Sequence, residues 1–192
     1  MTSYQPFRLQ VGVLDVYLGP VGEADPTADV ATPAGNWVTI GQTDGDVVLA
    51  PNLTTANVGD NSSLIPLKVV PTAFEPTIAL TLANMTLEKV YELYSDLTVT
   101  DVAAGVGTKG YRHVSVGEPD GDQWAMILQN TVLSPYMSDL YRVLIYCVSV
   151  KELGERTYNK EGKVVQPVTF QILKDPSTGN VWKEYAVDAA AV

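Results

Sequence analysis

Residues 75–97 read EPTIALTLANMTLEKVYELYSDL, and the spacing of the apolar side chains changes within this stretch. Ile78, Leu80 and Leu82 alternate with small or polar residues, which predicts a strand over residues 77–83 with one strongly apolar face. After Asn84 the spacing becomes that of one face of a helix. The members of this stripe are Leu87, Val90, Tyr91, Tyr94 and Leu97. The stretch therefore predicts a strand followed by a helix over about residues 86–97.

Short segments with strand patterns, separated by turn residues, make up the rest of the chain. No second segment has a comparable helical spacing. Many short strands with a single helix favour a mainly β fold, a β-sandwich or barrel flanked by that helix. The predicted strands cover residues 9–18, 36–41, 46–49, 62–70, 98–103, 111–116, 123–133, 139–151, 167–173 and 180–187.

The length of 192 residues suits one domain. Residues 1–192 are accordingly predicted to form a single domain with a flexible N-terminal arm (1–8) and a C-terminal tail (188–192). Two stretches without a helical or strand pattern are predicted as loop insertions. They are residues 19–35, rich in Pro, Gly, Ala and Asp, and residues 50–63, which are polar and rich in turn formers.

Three Asp-Gly or Asp-Pro stretches are predicted to be hairpin turns: residues 44–45, 118–122 and 175–179. The long strand over residues 139–151 has two largely apolar faces, one of which groups Arg142, Leu144, Tyr146 and Val148. A strand of this kind is expected at the centre of a sheet, covered on both sides.

The formal net charge is −10 and is unevenly distributed. Residues 1–150 carry 16 acidic and 6 basic side chains, whereas residues 151–192 carry 6 of each. A protein that grips duplex nucleic acid needs clustered Lys and Arg, and this sequence has no such cluster. The apolar runs are too short to cross a bilayer. Neither nucleic-acid binding nor membrane insertion is expected.

Few residues are candidates for chemistry. His113 is the single histidine and lies in an alternating strand pattern, so it is predicted on a strand surface and cannot form a multi-histidine zinc site. Cys147, the single cysteine, is predicted to be a small buried hydrophobe. The Asp-Gly-Asp triplets at 44–46 and 120–122 lack the further ligands of a calcium loop. We therefore predict no catalytic, metal-binding or cofactor-binding residues.

The segment order resembles that of the major tail tube proteins of long-tailed, non-contractile bacteriophages, over roughly residues 9–182. The matching segments are NWVTIG and TDGDVVL (36–49), SLIPLKVV (63–70), IALTLANMTLEKVYELY (78–94) and VQPVTFQILKDPSTGNVW (165–182). This resemblance implies a β-sandwich or barrel flanked by one helix, related in fold to type VI secretion tube proteins. It also implies hexameric rings that stack into a hollow tube in a virion tail, assembled in the host cytoplasm and contacting other tail proteins. DNA would pass through the lumen without specific binding, and loops and arms would reach the next ring.

Other functions remain open at this point. A terminator, a baseplate hub, or a contractile-tail or secretion-system tube would share the fold. A receptor- or glycan-binding β-sandwich would need exposed aromatic side chains, whereas Trp37, Trp124 and Trp182 lie in strand patterns that predict burial. A hydrolase that uses paired carboxylates is the third alternative.

Overall fold

The computed structural model describes residues 13–26, 33–58, 68–83, 97–116, 121–130, 140–158 and 164–187. Strand accounts for 67% of these residues, and no helix lies among them. The prediction of a mainly β fold is therefore confirmed. The strands in chain order are β1 (Leu14–Pro20), β2 (Val38–Thr43), β3 (Val48–Ala50), β4 (Leu53–Val58), β5 (Lys68–Phe74), β6 (Thr77–Ala83), β7 (Leu97–Val102), β8 (Tyr111–Val116), β9 (Gln123–Asn130), β10 (Leu140–Leu153), β11 (Thr157–Tyr158), β12 (Val164–Ile172) and β13 (Trp182–Val187).

Six of these strands form a closed barrel. Their order around the barrel is β12, β10, β9, β1, β2 and β6, and antiparallel pairing of β6 with β12 completes the circle. Three further strands lie on the same ladders: β3 on β6, β11 on β12 and β13 on β10. Closure pairs the backbone groups that an open sheet would leave at its two edges.

Apolar side chains fill the interior of the barrel. Every barrel strand contributes to this core, mostly at alternate positions, because successive side chains point to opposite faces of a strand. The strand predicted over residues 77–83 is confirmed as β6, and its apolar face points inward. The buried core residues are Leu14, Val16, Leu18, Ile40, Ile78, Leu80, Leu82, Met126, Leu128, Val143, Ile145, Val148, Val168, Phe170 and Ile172.

The long strand β10 is buried on both faces, as its sequence predicts. Val143 and Ile145 point into the barrel, and Leu144 packs on its outer surface. The pairing with β9 shifts between Ile145 and Val148, and this irregularity returns Val148 to the interior. The prediction that Val148 shares a face with Leu144 is therefore wrong.

A second, smaller apolar cluster covers the outer surface of β1, β9 and β10. Trp37 lies over this surface just before β2. A methyl group at Gly19 would come within 2.9 Å of the Trp37 ring, so the close approach depends on the absence of a side chain there. The cluster consists of Trp37, Ala125, Ile127 and Leu144, with Tyr17 and Tyr146 packed against it.

The described ends of the 19–35 insertion pack against the barrel. Gly19 and Pro20 belong to β1, and residues 27–32 lie outside the described part of the chain. The Glu23 carboxylate accepts hydrogen bonds from the Asn36 side chain at 3.0 Å and from its backbone N–H at 3.3 Å. Lys183 of β13 donates to Asp25 at 3.0 Å, and this bond raises the pKa of Lys183. These contacts place residues 19–25 of the insertion against Trp37, Asn36 and β13.

None of the three predicted hairpin turns joins two strands that pair with each other. After the bend at Gly45 (φ +91°), β3 continues along the edge of β6 that β2 had followed, and the Asp44 N–H donates to the Thr81 carbonyl at 2.8 Å. Likewise, β13 follows β12 along one edge of β10. β8 pairs with β7, whereas β9 pairs with β1 and β10. At residues 44–45 and 175–179 the turn residues loop out of a ladder, which then resumes with the next strand.

The predicted helix is not confirmed. Residues 84–96 lie outside the described part of the chain, and Leu97, the last member of the predicted helical stripe, begins β7. The predicted arm (1–8) and tail (188–192) also lie outside it. The loop predicted over residues 50–63 contains a strand, β4, which pairs with β5. Its β-branched and small residues suit a pleated ribbon, although they show no apolar alternation.

Candidate assembly surface

Two hairpins that stand apart from the barrel are the main candidates for a functional surface. Hairpin A consists of β4 and β5, and hairpin B of β7 and β8. Each forms its own two-stranded sheet. A two-stranded ribbon is marginally stable in water, because one of its faces normally needs a partner surface.

Hairpin A exposes apolar side chains along its whole length. All six residues of β4 are exposed. Leu53 and Phe74, which face each other across the hairpin, are 58% and 47% exposed, and Val58 and Val69 are similarly open. Pro71 lies within β5, opposite Thr55, a position that proline tolerates only at a sheet edge. Hairpin A therefore presents apolar side chains together with strand edges that no other described strand covers.

The base of hairpin A is fixed to the barrel. The Glu75 N–H donates to the Asn52 carbonyl at 3.1 Å, and the Asn52 amide donates to the Glu75 carbonyl and to the Thr77 hydroxyl, both at 3.2 Å. The Phe74 ring lies 6.2 Å from that of Trp182, which packs against the barrel core. These contacts hold the base of the hairpin to the barrel. The two strands continue from that base.

Hairpin B carries basic groups and an apolar tip. Asp101 and Arg112 lie opposite each other and form an exposed ion pair, which contributes little to stability. Gly105 and Thr108 exchange backbone hydrogen bonds of 3.1 Å and enclose a two-residue turn. Gly107 in this turn has φ +82°, a conformation that glycine adopts without strain. Val106 at the tip is fully exposed.

A groove of about 500 Å³ opens at one end of the barrel, where β1 ends and β2 and β9 begin. Its apolar wall comes from Leu18, Val38 and Trp124. Asn36, Asp122 and Gln123 supply polar groups at its margin. The remaining lining residues are Gly19 and Pro20.

His113 and Cys147 occupy the places that the sequence predicts. His113 is exposed on β8 and stacks on Tyr111 with ring centroids 6.0 Å apart. Cys147 is buried, and its thiol lies 3.5 Å from the Gln123 side-chain oxygen. Burial, together with the charge of Asp175, raises the pKa of the Cys147 thiol. Because the thiolate is the reactive form, this environment makes Cys147 a poor nucleophile.

The acidic turn at Asp175 is explained by local hydrogen bonding. The Asp175 carboxylate accepts hydrogen bonds from the backbone N–H and hydroxyl groups of Ser177 and Thr178. These bonds lower the pKa of Asp175 to about 2. Among the described residues, no group of three or more His, Cys, Asp or Glu side chains is placed to hold a metal ion.

The three tryptophans differ in their surroundings. Trp37 is buried in the outer cluster, as predicted. Trp124 and Trp182 are only half-buried: both pack against the barrel core, and Trp124 also lines the groove. The groove and the pairing of β4 with β5 were not predicted from the sequence, although the predicted strand over residues 62–70 overlaps the start of β5. The one available signal was the β-branched run LTTANV (53–58), which reads equally well as polar loop.

No protein-family model matches this chain, and a search of curated proteins gives no significant match. No helix of the described residues is long and apolar enough to cross a bilayer. The described surface carries two projecting hairpins and a groove with apolar and acidic groups.

Proposed function

We propose that this chain is a non-catalytic structural subunit that assembles with copies of itself into hexameric rings, which stack into a hollow tube. A tail tube of a long-tailed bacteriophage is the assembly that the segment order favours. A terminator, a baseplate hub, or the tube of a contractile tail or secretion system would use the same kind of subunit.

Hairpin A is the observation that carries this proposal. Side chains on both of its faces are exposed, and neither of its outer strand edges pairs with another described strand. Exposed apolar strands of this kind favour association with other chains, and natural monomers usually block or cover them. Burying Leu53, Val58, Val69 and Phe74 in a neighbouring subunit would stabilise the assembly. Since these side chains are about half exposed, each would contribute roughly half of the 1.5–3 kcal/mol that full burial gives.

The charge of the chain supports the proposed passage of DNA. A net charge of −10 repels phosphates, so a lumen lined by such subunits would let DNA slide without adhering. Electrophoretic mobility-shift measurements on assembled protein should show no DNA binding at low salt, where an electrostatic attraction would be strongest.

Light scattering and negative-stain microscopy over a range of protein concentrations test the assembly directly. The wild-type protein should form six-membered rings or tubes. A variant with Leu53, Val58 and Val69 changed to Thr should fold and melt cooperatively but stay monomeric. Val48→Thr is the matched control, because Val48 is similarly exposed but lies on β3, which pairs with barrel strand β6. A wild-type protein that remains monomeric at every concentration would refute the proposal.

A further inference from the structure

We propose that the tip of hairpin B inserts into the groove at the barrel end of a neighbouring copy. This inference rests on the proposed self-assembly and assigns one of its contacts. Val106 would fill the apolar part of the groove, between Val38 and Trp124, and Lys109 would lie near Asp122.

The shape and exposure of the two surfaces support this pairing. Val106 is fully exposed on a narrow two-residue turn between Gly105 and Thr108, so only small groups surround it. The groove has a volume of about 500 Å³, enough for a valine side chain and the turn that carries it. Val38, in the groove wall, is 43% exposed in the isolated chain.

The charges of the two surfaces are complementary. Residues 97–116 carry Lys109 and Arg112 against the single acidic residue Asp101, so hairpin B has a net positive charge in a chain of net charge −10. Asp122 lines the groove, and the Glu23 carboxylate is bonded to Asn36 at its margin. Opposite charges at the edge of an interface guide the encounter and fix its orientation.

In this proposal the groove that receives the tip belongs to another copy. Because Val106 is fully exposed, it does not occupy the groove of its own chain. The tip and the groove are different parts of the molecule, so their contact is heterologous. Contacts of this kind close into rings or continue as stacks, depending on the rotation that each contact imposes.

Cysteine cross-linking between subunits tests the contact. Val106→Cys combined with Val38→Cys should give, on oxidation, a ladder of covalent oligomers on a denaturing gel. Val106→Cys combined with Val48→Cys is the control pair, since Val48 is at least as exposed as Val38 but does not line the groove. Cys147 is buried and does not compete. Val106→Ser should raise the protein concentration needed for assembly about tenfold, the loss expected when one valine side chain is no longer buried. Ala104→Ser, an exposed change in the same hairpin, should leave that concentration unchanged.

Microscopy of the same samples separates the possible failures. Rings or tubes without a ladder from the groove pair, or with equal ladders from both pairs, would overturn the docking proposal and leave the proposed function standing. An absence of both assemblies and ladders would overturn the two proposals together.

Discussion

Replacing Gly19 with alanine should destabilise the protein through a single neighbour. The added methyl group would lie 2.9 Å from Cε3 of Trp37 and 3.2 Å from two further ring carbons. The Trp37 ring is 8% exposed and packs on the outer cluster, so it cannot move without opening that cluster. Overpacking of this kind costs about 1–3 kcal/mol, and the reduced freedom of the unfolded chain returns about 0.4–1 kcal/mol. We expect a net loss of roughly 1–2 kcal/mol and a fall in Tm of about 2–8 °C.

A double-mutant cycle identifies Trp37 as the cause. Trp37→Leu removes the ring atoms that the new methyl group would meet, so Gly19→Ala should be nearly neutral in that background. Unfolding by urea, followed by circular dichroism at one fixed protein concentration, measures the four free energies. The concentration must be fixed because self-association adds to the apparent stability.

The cycle would refute the reasoning if the two substitutions were additive within about 0.5 kcal/mol, the agreement expected of independent sites. In that case Trp37 would not lie over Gly19, and the packing of the 19–35 insertion against the barrel would be wrong. A coupling energy of about 1–2 kcal/mol would support the contact of Trp37 with Gly19 and the packing of the insertion against the barrel.

Two further predictions concern the core and the acidic turn. Phe170→Ala should lower the free energy of unfolding by about 3–5 kcal/mol, because this fully buried ring lies in the barrel core, whereas Thr169→Ala on the opposite face of β12 should cost under about 1 kcal/mol. Asp175→Asn should be less stable than wild type at neutral pH, and urea titrations should show the difference shrinking as the pH falls from about 4 towards 2. The sign follows because the folded pKa of Asp175 is lowered to about 2, below the unfolded value of about 3.9, so its stabilisation is present above the unfolded pKa and lost on protonation. A difference that stays constant over this range would contradict the proposed hydrogen bonding of Asp175.

The barrel strands could be located from sequence because each has one face in a dry core. Alternating apolar residues predicted β6 over its full length, and the two apolar faces of residues 139–151 predicted that β10 is covered on both sides. The position of Val148 could not be predicted, because it depends on an irregularity in the pairing with β9. Such a shift comes from the partner strand and leaves no mark on the local alternation.

The pairing partners of the strands were harder to predict than the strands themselves. Asp-Gly and Asp-Pro sequences favour turns through the conformations and side-chain hydrogen bonds that they allow, as at Gly45 and Asp175. These local effects do not determine which strand the chain meets next. After both turns the chain returns to the edge that it had left, because β6 and β10 are long enough to pair with two strands in succession.

The candidate surface could not be predicted because neither the groove nor hairpin A produces a regular spacing of apolar residues in the sequence. The groove depends on residues from β1, β2 and β9 that are distant in sequence and meet only in the closed barrel. In hairpin A, Leu53, Val58 and Val69 are spaced irregularly among threonines, so neither face reads as a core face. Sequence patterns report burial within one chain, and a ribbon without a face in its own core gives no such pattern.

The barrel and the hairpins therefore differ in what can stabilise them. The barrel buries aliphatic side chains from all six strands and pairs its ladders around a closed circle. Each hairpin pairs only within itself among the described strands, and its apolar side chains remain in water. These side chains are buried only in part within this chain, so they contribute less to folding than core residues do, while ordering the strands still costs about 1–2 kcal/mol per residue in backbone entropy. Burial against other subunits, as proposed, would supply the stabilisation that the two hairpins lack within the described part of this chain.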